Sequence, residues 1–243
     1  MKLRGRVAVV TGAGHRVGRA IALALGGQGM RVAVHYNAAA TDARETLREL
    51  ETLGTAGIPI QADLTRPDAP ANLITKVVAT LGSLDVLVNS AAVMRRTPFG
   101  SITPDAWDEI MALNLRAPFL LAQAAAPYLR EANGAVINIA DLAAFETWPG
   151  YLPHGISKAA VVHMTRSLAS VLAPEVRVAA IAPGTVLLPE NWNEDDAEHL
   201  RRTTPLQRHG DPSDVTATVL FLLQSDYITG ETIIVDGGRH VRR

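Results

Sequence analysis

Apolar positions along the chain fall into runs of two lengths. Residues 7–10, 32–34, 86–88, 136–139 and 176–181 form short runs dominated by Val, Ile and Ala. They lack the polar alternation of a solvent-facing sheet, so they read as strands covered on both faces. Longer stretches with helical spacing lie between them: 18–28, 42–53 (with Leu47, Leu50 and Leu53 on one side), 67–81, 104–129, 157–172 and 212–223. A final strand at 232–235 closes the chain. Strand–helix alternation of this kind predicts right-handed βαβ units and a mostly parallel, doubly wound α/β sheet. No repeat, low-complexity segment or linker divides the 243 residues, which therefore read as one domain. Residues 185–204 are polar, lack strong periodicity and carry Trp192 among acidic residues. The reading is a lid over a bound ligand, with a plain surface excursion as the alternative.

Composition adds exclusions. Hydrophobic residues make up 48% of the chain, enough to bury a doubly covered sheet, and the net charge of −1 offers no field for nucleic acid or an anionic membrane. Arg239, His240, Arg242 and Arg243 near the end read as a solvated basic tail. Cysteine is absent, which excludes disulfides, thiolate metal sites and cysteine nucleophiles. The N-terminal residues lead straight into a short strand rather than a secretory leader, and no run approaches the roughly 20 apolar residues that span a bilayer. These features predict a cytoplasmic protein acting on a small-molecule substrate.

Chemistry enters at the first strand–helix junction, Thr11-Gly12-Ala13-Gly14-His15-Arg16-Val17-Gly18. Glycines here permit positive φ and let the backbone approach a pyrophosphate, while the following helix start presents free N–H groups and a positive dipole end. Between a first strand and a first helix, the pattern points to a dinucleotide. An acidic residue ending the second strand would select NAD. That strand instead ends His35-Tyr36-Asn37, and Arg16 offers a fork of donors to a 2′-phosphate. The preference is therefore NADP(H) over NAD(H).

The Thr11–Gly18 turn, Asp63-Leu64-Thr65, Asn89-Ser90-Ala91-Ala92, Asn114, Ser157-Lys158-Ala159-Ala160, Pro183-Gly184 and Val235-Asp236-Gly237-Gly238 occur in an order that resembles the short-chain dehydrogenase/reductase family over essentially the whole chain. Within that family, Arg16, His35-Tyr36 and Asp141 resemble the pteridine reductase branch, which reduces pterins with NADPH. The resemblance implies a seven-stranded Rossmann-type sheet and an oxidoreductase, commonly tetrameric. It also implies site roles. Gly12, His15, Arg16, Val17 and Gly18, with His35, Tyr36 and Asn37, would hold the phosphates and the adenosine ribose. Asp63 and Leu64 would lie by the adenine, and Asn89, Ser90 and Ala91 beside the ribose. Lys158 would bind the nicotinamide ribose. Pro183 and Gly184 would flank the nicotinamide, with Thr185 near its carboxamide. Asn114 would hold a helix kink and a water, and Asp141 takes the place of the usual serine. Ser90 and Ala92 stand where the common pattern has Asn and Gly, a mild departure.

One departure is serious. The family places a tyrosine four residues before the lysine, one helical turn away. Counting back from Lys158 gives His154, which lies thirteen residues after Asp141, the family's spacing from the other side. Hydride delivery to a carbonyl or imine carbon needs a proton donor here. An imidazole nitrogen falls short of a phenolic oxygen's place by about 2 Å, and a neighbouring Lys158 cation disfavours imidazolium. Three readings stand. His154, directly or through a water, is the general acid with Asp141 setting its charge and tautomer; Tyr151 or Asp141 protonates the substrate; or the site binds cofactor with little turnover. The expected function is thus an NADPH-dependent reductase of a small carbonyl or pterin-like compound built on Asp141, His154, Lys158 and Asn114. The alternative is an NADP-binding regulatory or structural subunit.

No metal site is predicted. His163, on the apolar helix, reads as a core or interface histidine, and the acidic residues at 190–198 lack ordered ligand spacing. Trp148 is either a packing residue or a wall of the substrate pocket. Helices at 106–129 and 157–172 are apolar on more faces than one sheet buries, which predicts a homo-oligomer, a tetramer or dimer.

Overall fold

The computed structural model describes residues 1–188 and 192–241. The seven strands are β1 Val7–Val10, β2 Arg31–Tyr36, β3 Gly57–Gln61, β4 Val86–Asn89, β5 Ala135–Ile139, β6 Arg177–Pro183 and β7 Thr232–Val235. They form one sheet in the order β3-β2-β1-β4-β5-β6-β7. Every neighbouring pair is parallel, so the expected "mostly parallel" sheet is parallel throughout. The helices are α1 Arg16–Gly27, α2 Ala40–Thr52, α3 Ala69–Leu81, α4 Pro104–Met111, α5 Ala117–Glu131, α6 Leu152–Leu172, α7 Glu194–Thr203 and α8 Pro212–Gln224. Strand residues feed two cores, one on each face of the sheet. Ala8, Val10, Val32, Val34, Val86 and Val88 pack under α1 and α8, while Val7, Val9, Ala33, Leu87 and Val136 pack under α3 and α5. Among the described residues no helix is long and apolar enough to cross a membrane.

Several elements differ from the sequence expectation. β3 was not among the expected strands, because its Gly57 and Pro59 interrupt the apolar run. It pairs on one side only, where a residue without an N–H is tolerated. The helix expected at 104–129 is broken by a π-helical turn, Ala112–Arg116. Pro118 cannot donate to the carbonyl four residues back, that of Asn114, which accounts for the widening there. The polar stretch 185–204 contains α7, whose Asn193–Asp196 capping box and acidic first turn start it and whose Arg201 and Arg202 close it. Only Leu200 on this helix is buried, so no hydrophobic period announced it. Part of the expected lid, 189–191 with Glu190, lies outside the described residues. Leu53, expected on the buried side of α2, caps the helix and is exposed. His163 is exposed rather than in the core. The basic end is not a free solvated tail. Arg239 contacts Glu146 at 3.7 Å, and His240 meets the half-buried Asp236 at 2.8 Å; Arg242 and Arg243 lie outside the described residues.

The strand order reverses between β1 and β4, so the crevice at the carboxyl ends of these strands is where a ligand of an open parallel sheet binds. The connections after β1, β2, β3, β4, β5 and β6 all open onto it.

Candidate active site

A continuous cleft of about 910 Å³ runs along those carboxyl ends. At one end it is lined by Gly12, Gly14, His15, Arg16, Val17 and Gly18, with Tyr36, Asn37, Asp63 and Leu64; at the other by Ile139, Asp141, Trp148, His154, Lys158 and the run Pro183–Leu187. Ser90 and Ala91 lie between the two ends.

The glycine turn is shaped for backbone approach. Gly12 has φ +65, and a Cβ on it would come within 3.0 Å of the Ala91 backbone. Thr11 supports the opposite wall, its Oγ1 accepting from the backbone N–H groups of Ser90 (2.9 Å) and Ala91 (3.0 Å). Residue type alone had not singled out Thr11. Gly18 packs so closely that a Cβ would lie 2.1 Å from the Gly12 carbonyl oxygen. Gly18→Ala therefore forces side chain against backbone. It is expected to cost more than about 2 kcal/mol in urea unfolding and to abolish dinucleotide binding by calorimetry. Unchanged binding would mean that the turn does not carry the ligand. Arg16 holds φ +52, a left-handed conformation that costs a non-glycine residue about 1 kcal/mol. Its guanidinium reaches across the mouth toward the Leu187 carbonyl (3.4 Å).

Three expected binding residues face elsewhere or are partly engaged. Asn89 ends β4 but turns its amide into the sheet, donating to Asn138 (2.9 Å), and does not line the cleft. Asn138 in turn donates to Thr165 (2.9 Å), so a buried polar ladder backs the site. Asp63 folds onto Thr65, accepting from its backbone and hydroxyl at 3.0 and 2.7 Å, which holds its carboxyl below the usual range. His35 is buried and bonds inward to Gly12 and Ala62 rather than outward.

At the other end, α6 starts at Leu152, so His154 and Lys158 sit one turn apart on one helix. Tyr151 precedes that helix, stacks edge-on with Trp148 (6.3 Å) and is not part of the cleft lining. Asn114 occupies the π-helical turn. Its Oδ1 accepts from the Val93 N–H (2.8 Å), and its Nδ2 donates to the Val93 carbonyl (2.9 Å) and to Ser157 Oγ (3.1 Å). Both amide hydrogens are thus used, leaving none for His154 Nδ1 at 3.4 Å. His154 Nδ1 must then carry hydrogen and donate to the Val93 carbonyl (3.2 Å). That fixes the tautomer and turns Nε2 toward the cleft. Nε2 is buried without a hydrogen-bond partner and lies 3.6 Å from Asp141 Oδ2. Asp141 is steadied through its other oxygen, which accepts from Ala143 N–H (2.8 Å). Lys158 is buried, its Nζ donating to the Ile139 carbonyl (2.7 Å). Burial lowers its pKa from 10.5 to about 8, with Asp141 pulling the other way.

Residues 12–240 match the family described as enoyl-(acyl carrier protein) reductase. The 3-oxoacyl-(acyl-carrier-protein) reductase FabG of Staphylococcus aureus is 35% identical over 240 residues, which cover 96% of this chain and 98% of that one. The chain belongs to the short-chain dehydrogenase/reductase family. A second member, the 3-oxoacyl-(acyl-carrier-protein) reductase of a Synechocystis species, is 36% identical over 243 residues, covering 97% of each chain. Among solved members, the blue fluorescent protein from a metagenomic library, in complex with NADPH, superposes with a TM-score of 0.91 at 32% identity, covering 98% of this chain and 99% of that one.

Proposed function

We propose that this protein is an NADP(H)-dependent reductase of a small carbonyl compound, of the 3-oxoacyl class named in its relatives, with a histidine in the place of the family's tyrosine. The observation that carries this reading is the continuous cleft joining a turn with no room for a Cβ at Gly12 and Gly18 to the unpartnered Nε2 of His154. The residues fit a dinucleotide. Gly12 to Gly18 would take the diphosphate, Lys158 the nicotinamide ribose, and Pro183, Gly184 and Thr185 the nicotinamide. Bound there, the reduced dinucleotide would supply the hydride. With Nδ1–H kept on the Val93 carbonyl, only the doubly protonated ring has a proton on Nε2 to give; a substrate carbonyl oxygen within reach of Nε2 would receive that proton as hydride reaches the carbon, leaving the neutral Nδ1–H tautomer. Asp141 Oδ2 lies 3.6 Å from that nitrogen, placed to pair with it when it carries a proton. Asn114 acts through Val93, whose carbonyl keeps the imidazole aimed.

NADPH oxidation in the presence of a 3-oxoacyl thioester tests the reading, beside a panel of pterins, quinones and ketones. Turnover with the thioester supports it. Binding of NADPH with no turnover on any member would instead favour a regulatory or structural subunit. Asp141, a carboxylate lining the cleft, favours a pterin as second reading, since a pterin's amino and ring N–H groups pair with a carboxylate.

Arg16 is assigned to the 2′-phosphate. Arg16→Ala keeps the backbone problem but removes the donor fork, and the expected result is a roughly 10- to 100-fold rise in the KM for NADPH with that for NADH unchanged. Equal effects on both cofactors would reject the assignment. The chain 1–243 is taken as one dinucleotide-binding unit, with residues 185–204 as its lid; Thr185, Val186 and Leu187 line the cleft just before α7. Exposed Phe119 on α5 and Ile156 and Val171 on α6 support a homo-oligomer.

A further inference from the structure

Among the described residues, His35 is the buried titratable side chain at the cleft that the proposed chemistry leaves unused. It sits at the end of β2 with 3% of its surface exposed. Its Nδ1 lies 3.1 Å from the Gly12 backbone N–H, which can only donate, so Nδ1 is the acceptor. Its Nε2 lies 3.0 Å from the Ala62 carbonyl, which can only accept, so Nε2 carries the hydrogen. The ring is thereby fixed as one neutral tautomer tying the glycine turn to the connection after β3. Gly12 has φ +65 and packs on Ala91, so its N–H is fixed in direction by the turn itself.

Resting on the dinucleotide reading above, we propose that His35 is a positioning residue for the phosphate-binding turn: its unprotonated Nδ1 holds the Gly12 amide, and a second proton on the ring breaks that hold and releases the cofactor. A protonated Nδ1 would face the Gly12 N–H donor to donor across a partly buried contact at the cleft wall, so the bond that aims this amide is lost.

The surroundings keep this ring neutral near pH 7. Burial lowers its pKa from the usual 6.5, against a smaller upward pull from the Ala62 carbonyl. The charged or titratable side chains on the neighbouring elements are directed elsewhere. His15 is exposed, Arg16 reaches Leu187, Asp63 bonds Thr65, Arg66 contacts Asp68, and Arg116 donates to the Thr65 carbonyl. The sign follows. Cofactor affinity is full above the folded ring's pKa, and it falls about ten-fold per pH unit below it, in a window under 6.5.

The test uses NADP⁺, which survives acid, titrated by calorimetry into the whole protein from pH 7.5 downward, with circular dichroism checking the fold at each pH. The 2′-phosphate of the ligand titrates in the same region, so the readout is the difference between wild type and His35→Asn. Asparagine keeps an acceptor near the Nδ1 place and cannot titrate. The expected result is that wild type loses affinity about ten-fold more per pH unit than His35→Asn does. Identical profiles would overturn the proposal. If His35→Asn does not fold, ¹⁵N spectra of the wild-type ring decide the matter without cofactor. An Nε2–H tautomer that protonates together with loss of protection at the Gly12 amide supports the proposal, and protonation that leaves Gly12 protected overturns it. Absence of NADP⁺ binding by wild type at pH 7.5 would reject the dinucleotide reading itself, while the ring spectra would still report on the Gly12 contact.

Discussion

Lys158→Met is expected to make the fold more stable at neutral pH and to reduce turnover by about 10²- to 10⁴-fold, the range for loss of a placed charged or proton-transferring group. Among the described residues, Nζ has one hydrogen-bond partner, the Ile139 carbonyl at 2.7 Å, and no direct carboxylate contact. Burial brings its pKa from 10.5 to about 8. A lysine whose folded pKa is depressed charges less readily in the fold than in the unfolded chain. The resulting penalty is complete below about pH 8, shrinks as pH rises from there to 10.5, and vanishes above. At pH 7 it amounts to about 3 kcal/mol. Methionine has a similar length and no charge, but it leaves the Ile139 carbonyl unpaired at a cost of about 1 kcal/mol. Urea unfolding should thus show a net gain of about 2 kcal/mol at pH 7 that shrinks to nothing before pH 10.5 and becomes a loss of about 1 kcal/mol above it. A loss of stability at pH 7, or a gap indifferent to pH, would mean that the ammonium is solvated or paired in a way this geometry lacks.

Such a group marks the limit of what residue order can convey. The strands that form the middle of the sheet were legible because both faces are covered. Val7 to Val10 and Val86 to Val88 are buried without exception, and no polar period interrupts them. β3 was illegible for the converse reason. It is an edge strand whose Pro59 is tolerated only because one side pairs, a fact about sheet order and not about local composition. α7 was hidden because a helix that buries one leucine has no stripe to detect. At the site, the four-residue step from His154 to Lys158 was readable, since it is a property of one helix. The approach of Asp141 to His154 was one of the expected readings, but which ring nitrogen it meets depends on how the connection after β5 folds over α6. The tautomer of His154 was not readable, because it is set by Asn114 and Val93 from two other connections. Asn89 turns its amide away from the cleft, whereas His35 lines the cleft with both ring nitrogens bonded inside the protein. Both sit at strand ends that face the cleft, but each finds its hydrogen bonds inside the protein.

That inward accounting bears on the second large effect. His154→Ala is expected to lower kcat by about 10²- to 10⁴-fold, with little change in the Kd for NADPH. Asp141→Asn should lower kcat by less, because the imidazole remains aimed by Val93 and loses only the carboxylate beside Nε2. If the two side chains act as one proton donor, the double variant should be no slower than His154→Ala alone. Losses that multiply would separate them. His154→Tyr is the discriminating variant. A phenol reaches about 2 Å farther than the imidazole nitrogen, toward a space where Asp141 Oδ2 already lies 3.6 Å from Nε2. Its hydroxyl would be captured by that carboxylate, so the expected outcome is a loss of turnover. A gain of about ten-fold or more would show instead that the histidine is a handicap, and that whatever reduction this cleft performs is waiting for a longer acid. Single-turnover rates across pH separate the cases, because an imidazole donor leaves an acid–base limb near its own titration that a phenol does not.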